Sequence, residues 1–444
     1  MIEGISRGVA LLAEMGVGKT KIAIDLAETM FDLGLVRRVL VVAPLSVVDA
    51  WDRELDAHAS KSLWSQLLGS KQKRIEALNV LGAFPSKLHF FLINYDGIPV
   101  IEDYLSRQKF DMVVLDESTA IKNRVTRRAK VIHKLFLNTP YKLILSGNPV
   151  PKNPGEIFSQ YAFVDPGIFG DNYYKFLDRY FVVNQFHGID DFRSDALKKE
   201  FHDKLHSIAF RKRKDECLTL PPKIFENRRI ELAPEQRQIY DRLKKEAVAA
   251  YQDKTISVPV LVTKILRLSQ ICGGNFPSED GETTPILPNP KLEELIRILE
   301  EIPSSSQVVI WARFRAEIFS IAARLEKEGI THTTFFGDTS HKDRLLSAEN
   351  FRTKKVRVFV GNPATAGKGI NFLVGATNVV YYSLDYSFEN YIQSSDRNHR
   401  SGTVGDKVLY IHLLARNTID EQVLAVLRRN KNVSEAILNR EIIL

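Results

Sequence analysis

The sequence predicts an α/β protein made of two parallel-sheet lobes in tandem, with mainly helical insertions between them. Three observations carry that reading. Short runs that are apolar throughout recur in both halves of the chain, as strands buried on both faces do. Amphipathic stretches of helix length alternate with many of them, the pattern of a parallel sheet with crossover helices. This alternation occurs twice, on either side of a more charged middle.

The predicted strands of the first half are Val9–Leu12, Val39–Val42, His89–Ile93, Met112–Leu115 and Lys142–Leu145. Those of the second half are Gln307–Trp311, Thr333–Phe336, Val356–Val360, Asn378–Tyr382 and Val408–His412. Lys19–Phe31, Arg124–Leu137 and Ala316–Lys327 read as helices between strands. From about Asn153 to Cys272 the pattern turns mostly helical, punctuated by Pro166-Gly167, Pro221-Pro222 and Pro234. Gly273–Pro290, rich in Gly, Pro, Ser and acidic residues, reads as an exposed loop. The lobes are therefore placed at 1–225, with a helical insertion from about 155 to 215, and at 226–444, with a helical segment from about 233 to 275.

Composition limits the class. A chain of 444 residues with 44% hydrophobic and 26% charged residues is ordinary globular material, long enough for more than one core. The net charge of +8 raises the odds of a polyanionic partner. Cys217 and Cys272, far apart and without a nearby His pairing, argue against a disulfide framework or a structural zinc. The longest apolar run, Val39–Val48, is broken by Pro44 and too short to span a bilayer, and the N-terminus has no signal pattern. A cytoplasmic protein without membrane business is expected.

Polar residues cluster where predicted strands end, and ligands of open parallel sheets bind outside the carboxyl ends of the strands. Val9–Leu12 leads into a segment, Ala13–Thr20, of the form AxxxxGKT. Between a strand and a helix this is a phosphate-binding loop. Gly16, Val17 and Gly18 would turn backbone N–H groups around phosphate oxygens, and the helix start adds its positive end. Lys19 would reach the β and γ phosphates of ATP, and the Thr20 hydroxyl would ligate Mg²⁺. Met112–Leu115 leads into Asp116-Glu117. Phosphoryl transfer needs one carboxylate on the metal and a group that orients the attacking water; Asp116 fits the first role and Glu117 the second. A solvated turn, the bland reading of two acids at a strand end, loses force with that loop upstream. Lys142–Leu145 leads into Ser146-Gly147-Asn148, Val308–Trp311 into Arg313-Phe314-Arg315, and Val356–Val360 into Gly361-Asn362-Pro363. Near the end, Arg397 and Arg400 are three apart, a spacing that puts both on one face of a helix. Such arginines can act as fingers on a transferring phosphate, worth roughly 10³–10⁵ in rate.

These residues, in this order, resemble a superfamily-two helicase, and more narrowly the Swi/Snf-like group of double-stranded DNA translocases. The likeness runs through nearly the whole chain: AEMGVGKT, VVAPLSVVDAWDREL, LDESTAIKN, LSGNPVPKNPGEIFSQYAFVDPGIFG, RKRKDECLTLPPK, APEQRQIY, NPATAGKGINF and QSSDRNHRSGT. It implies two RecA-like lobes, ATP and Mg²⁺ as cofactors, and a DNA-dependent ATP hydrolase. It further implies that Ser146 and Asn148 couple hydrolysis to DNA, that Gly367, Gly369 and Asn371 line the nucleotide cleft, and that Gln393, Arg397 and Arg400 meet the γ-phosphate. Implied DNA contacts are Pro44, Ser46, Lys122, Asn123, Thr365 and the Arg313–Arg315 stretch, mostly to phosphates, which position without reading sequence.

Ser118-Thr119 stand where the group has Ala-His, Asn148 where it has Thr, and Asp396 where it has Gly. The adenine-reading glutamine region is absent upstream, so either the natural start precedes Met1 or base selectivity is weak. The expectation is a minimal monomeric motor, bacterial or viral, working on duplex or branched DNA. A strand-separating helicase, a nucleotide-switched DNA clamp and an RNA remodeller remain open beside it. Trp51 and His399 read as packing residues, and Lys122–Lys130 as either a DNA-facing or a solvated basic face.

Overall fold

A computed structural model describes residues 8–80, 86–150, 153–184, 189–252, 258–277, 283–366, 372–403 and 405–439. The chain divides into two compact units, one running to Leu218 and taking in the chain from Asn430 onward, the other Thr219–Arg429. Among the described residues, each unit holds one large, wholly parallel sheet.

The first unit contains strands β1 (Gly8–Ala13), β2 (Arg38–Ala43), β3 (Ser62–Gln66), β4 (Leu88–Asn94), β5 (Met112–Asp116) and β6 (Tyr141–Leu145). A small hairpin of β7 (Phe181–Val183) and β8 (Ile189–Phe192) follows, then β9 (Ala209–Lys212). The sheet order is β3-β4-β2-β5-β6-β1-β9. Successive side chains on a strand face opposite ways, and here both faces are buried. Ala10, Leu12, Leu40, Val42, Val113, Leu115 and Ile144 pack into one core. Leu11, Ala13, Val39, Val41, Met112, Val114, Leu143 and Leu145 pack into the other. That explains why these strands read as unbroken apolar runs.

The segment 155–215 is helical over Ile157–Val164, Pro166–Phe169, Tyr173–Tyr180 and Asp195–Ser207. Its aromatics, among them Phe158, Tyr161, Phe169, Phe176 and Phe201, belong to the same core as one face of the sheet. The helix Ile157–Val164 lies so close to β1 that a Cβ at Gly8 would stand 2.6 Å from the Val164 carbonyl oxygen.

The second unit contains β10 (Lys223–Ile230), a β11–β12 hairpin (Asn275–Pro277, Thr283–Pro285), β13 (Val308–Trp311), β14 (His332–Phe335), β15 (Val358–Gly361), β16 (Asn378–Tyr381) and β17 (Val408–Ala415). Its sheet order is β10-β17-β16-β13-β15-β14. Alternation again feeds two cores: Val309 and Trp311 face one, Val308 and Ile310 the other. Helices Pro234–Gln252 and Val258–Cys272 fill the segment before the hairpin.

Three sequence expectations change. Gly273–Pro290, read as an exposed loop, carries the β11–β12 hairpin and buries Asn275, Ile286 and Asn289. The unit boundary falls before residue 225, because Lys223–Ile230 is an edge strand pairing with β17 from Lys223↔Val408 to Ile230↔Ala415. The helix expected over Arg124–Leu137 begins at Arg127, where Thr126 caps it by accepting from the Ala129 N–H.

Candidate active site

In the first sheet β5, β6 and β1 are adjacent and parallel, so their carboxyl ends gather Asp116-Glu117, Ser146-Gly147 and Ala13–Thr20 at one edge. The loop after β1 turns through Gly16 (φ 86°) and Gly18 (φ 85°), a left-handed backbone that glycine adopts without Cβ strain. Helix Lys19–Asp32 starts directly after it. The Lys19 ammonium donates to two neutral carbonyl oxygens of the loop itself, Ala13 at 2.9 Å and Glu14 at 3.3 Å. Gly147 closes in from β6, where an added Cβ would sit 3.7 Å from Lys19 Nζ. Thr20 lies half-buried in the first turn of that helix. The loop is braced from β9: Arg211 donates to Glu14 Oε1 (3.2 Å) and to the Leu12 carbonyl (2.9 Å), and the Lys214 N–H donates to Glu14 Oε2 (3.1 Å).

Asp116 is buried, and each carboxylate oxygen already accepts one bond. The Trp51 indole N–H reaches Oδ2 at 2.8 Å, and the Glu117 N–H reaches Oδ1 at 2.9 Å. Tyr95 Oη donates to the Asp116 carbonyl at 2.8 Å. Burial pushes the Asp116 carboxyl up, while the Trp51 bond and the Lys19 charge pull against that shift. Glu117 sits at φ 51°, ψ 57°, a left-handed conformation uncommon for a residue with a side chain.

This donor set fits a magnesium-bound nucleotide triphosphate. Mg²⁺ is held by one or two carboxylates or hydroxyls and completed by phosphate oxygens and water. Asp116, with a lone pair left on each oxygen, and Thr20 supply that kind of partial shell. Among the described residues no group of three or more His, Cys, Asp or Glu gathers to make a self-sufficient metal cage.

Ser146 is fully buried, and its hydroxyl has no hydrogen-bond partner among the described residues. Of the implied DNA contacts in this unit, Pro44 and the exposed Ser46 open the helix Leu45–His58 at the end of β2. Lys122 is paired with Glu156 at 3.5 Å, and Asn123 makes a turn in which its side chain accepts from the Val125 N–H. In the basic stretch beyond, the Arg124 guanidinium stacks over Tyr173 and Tyr174 at 4.8 and 5.2 Å.

In the second unit Arg313 follows β13, flanked by β15 and β16. Its N–H donates to Ser383 Oγ (2.8 Å) and its carbonyl accepts from Asn362 Nδ2 (2.5 Å). Ser383 in turn donates to buried Glu317. Thr365 is half-buried in the short helix Pro363–Ala366. Gly367, Gly369 and Asn371 lie outside the described residues. Gln393 and Arg397 are buried on helix Phe388–Asn398. Arg400 is not on it. The helix stops at Asn398, whose side chain is taken by the Leu373 and Ala376 carbonyls, and the Arg400 N–H turns to Thr403. The one-face spacing expected of the two arginines is therefore replaced by a helix end and a turn. Asp396 has a partner: Lys223 of β10 donates to it at 2.9 Å, and His399 Nε2 lies 2.7 Å from the Pro221 carbonyl. Helix Phe388–Asn398 is thereby tied to the start of its own unit.

Glu317 also makes a prediction about stability. Burial pushes its carboxyl up to about 7 from 4.5. The folded state then holds a proton the unfolded chain releases, so this stabilisation is full at acid pH and is lost as pH rises through about 7. Between about pH 5 and pH 8 the parent should lose on the order of 3 kcal/mol that Glu317→Gln does not lose. Urea midpoints of the second unit's transition at both pH values test this, and identical pH trends would contradict it.

Residues 3–275 match the family described as SNF2-related domain. The chain belongs to this family. Residues 290–402 match the helicase conserved C-terminal domain. Relatives include the chromodomain-helicase-DNA-binding protein 1-like of Danio rerio, 25% identical over 94% of this chain and 40% of the relative. An uncharacterized ATP-dependent helicase of Mycoplasma genitalium is 24% identical over 98% and 40%. The putative ATP-dependent helicase/translocase YwqA of Bacillus subtilis is 24% identical over 98% and 47%. The chain thus spans less than half the length of these relatives. The solved SWI2/SNF2 ATPase core of Sulfolobus solfataricus in complex with double-stranded DNA is similar at 22% identity and a TM-score of 0.44, covering 98% of this chain and 89% of that one.

In this SNF2-related chain, Trp51 is the functional residue that sequence reading missed. It reads as a packing residue and is one, at 1% exposure; its indole N–H also holds the Asp116 carboxylate. The usable signal was that a buried indole N–H must find an acceptor.

Proposed function

We propose that the chain is an ATP-hydrolysing motor that translocates on double-stranded DNA and remodels branched DNA or protein–DNA complexes, acting in the cytoplasm of a bacterium or a virus-infected cell. The observation that carries the reading is the joint placement of Lys19, Thr20, Asp116 and Glu117 at one edge of one parallel sheet. Lys19 and the loop N–H groups bind and neutralise the phosphates; Thr20 and Asp116 would hold Mg²⁺, which would supply polarisation of the phosphoryl oxygens. Glu117 orients a water molecule; its oxygen attacks the γ-phosphorus, the bond to the ADP oxygen breaks, and the water's proton passes to the carboxylate and on to phosphate.

The DNA assignment is supported by family membership, by relatives named for DNA binding and ATP-dependent helicase activity, and by the net charge of +8. Its test is ATP hydrolysis with no nucleic acid, single-stranded DNA, duplex DNA, branched DNA and RNA at one salt concentration, since phosphate contacts make affinity steeply salt-dependent. Strongest stimulation by duplex or branched DNA is expected. Stimulation by single strands alone would replace the reading with a strand-separating helicase, and stimulation by RNA alone with an RNA remodeller.

A further inference from the structure

The acids at the end of β5 are wired to the segment after β6 through a helix that no motif role covers. Ser118 and Gln160 are both fully buried. The Ser118 hydroxyl donates to Gln160 Oε1 at 2.7 Å. The Gln160 amide donates to the Pro149 carbonyl at 2.7 Å and to the Glu156 carbonyl at 3.0 Å. One buried side chain thus joins Asp116-Glu117-Ser118 to Ser146–Pro149, and reaches the residue that pairs with Lys122. The link depends on a departure from the family pattern, because the alanine usual at position 118 has no donor.

We propose that Gln160 is a positioning residue that fixes Glu117 for hydrolysis. Glu117 occupies a left-handed backbone conformation. Such strain persists only where the surroundings over-determine it. On one side the Glu117 N–H is held by Asp116 Oδ1. On the other, the residue that follows is held by Gln160. Releasing the second clamp lets the turn relax and moves the carboxylate away from the water it orients. A displacement of about 1 Å at a reacting group can cost on the order of 10² in rate.

This inference rests on the ATP-hydrolase reading, and its test separates the two. Steady-state hydrolysis, with and without duplex DNA, and melting temperature are measured for the parent, Ser118→Ala, Gln160→Leu and the double variant. Each single variant should lower kcat about tenfold or more, with KM for ATP within about twofold, because binding groups are untouched. Each should also melt lower, since Ser118→Ala leaves Gln160 Oε1 without its donor and Gln160→Leu takes a partner from Ser118 and from the Pro149 and Glu156 carbonyls. The double variant removes both ends of the Ser118–Gln160 bond, which costs less than orphaning one of them, while the Pro149 and Glu156 carbonyls lose the amide as they do in Gln160→Leu. It should melt above Gln160→Leu while kcat stays as low as in the worse single variant. Recovery of kcat along with stability, or parental kcat in the single variants, would overturn the positioning role and leave a packing bond. Absence of DNA stimulation in the parent would count against the DNA reading only, because the same cycle is read on the unstimulated rate. Absence of hydrolysis in the parent under every condition would overturn both.

Discussion

Lys19→Ala should abolish ATP turnover, with a fall in kcat/KM of at least about 10³ and little change in melting temperature. The lysine is half-buried, and its ammonium is held by two carbonyl oxygens of its own loop. These are neutral acceptors. A phosphate oxygen offers a charge-assisted bond roughly twice as strong, so the ammonium leaves the carbonyls when nucleotide binds. Removing it takes away the positive charge proposed to meet the transferring phosphate, and one preorganised donor of that kind is worth about 10²–10³ by itself. Loss of its pull on Asp116 adds to the effect, because Lys19 is one of the groups holding that buried carboxyl down. Hydrolysis assays paired with a nucleotide-binding titration check the result. Normal turnover would remove the phosphate loop from the site.

Glu117→Gln should separate binding from chemistry. The substitution keeps shape and backbone N–H, so the bond to Asp116 Oδ1 and the left-handed turn survive. What is lost is the carboxylate proposed to orient the water and accept its proton, a contribution of about 10²–10⁴. ATP binding should stay within about threefold of the parent while kcat falls by that factor. The variant should accumulate in an ATP-bound state that grips DNA, visible as slower dissociation from duplex in ATP than in ADP. Hydrolysis at the parental rate would show that another group orients the water.

Much of the fold was legible because its central strands are buried on both faces. Val39–Val42 and Met112–Leu115 contribute to two cores at once, so their sequences are continuously apolar and hard to misread. The strands the pattern missed lie at sheet edges. Ser62–Gln66, Ala209–Lys212 and Lys223–Ile230 each pair on one side only, and their partly exposed positions carry Ser, Gln, Arg, Lys and Glu. The missed strand Lys223–Ile230 is also what moves the boundary between the units. At the site, the loop, the acid pair and the Ser146 segment could be placed because their spacing encodes a strand end. Trp51, Gln160 and Arg211 could not. Each acts through a hydrogen bond to a residue 65, 42 or 199 positions away, and one sequence does not report tertiary pairs at that range. The turn that removes Arg400 from the helix depends likewise on the carbonyls of Leu373 and Ala376.

If hydrolysis drives the proposed movement along duplex DNA, ATP hydrolysis on duplexes of increasing length, at a fixed concentration of base pairs and one salt concentration, reads that movement. A motor consumes ATP for as long as it travels, so the rate should climb with length until dissociation ends each run, and Lys19→Ala should show none of it. A rate that duplex DNA stimulates equally at every length would contradict translocation and leave a nucleotide-switched clamp.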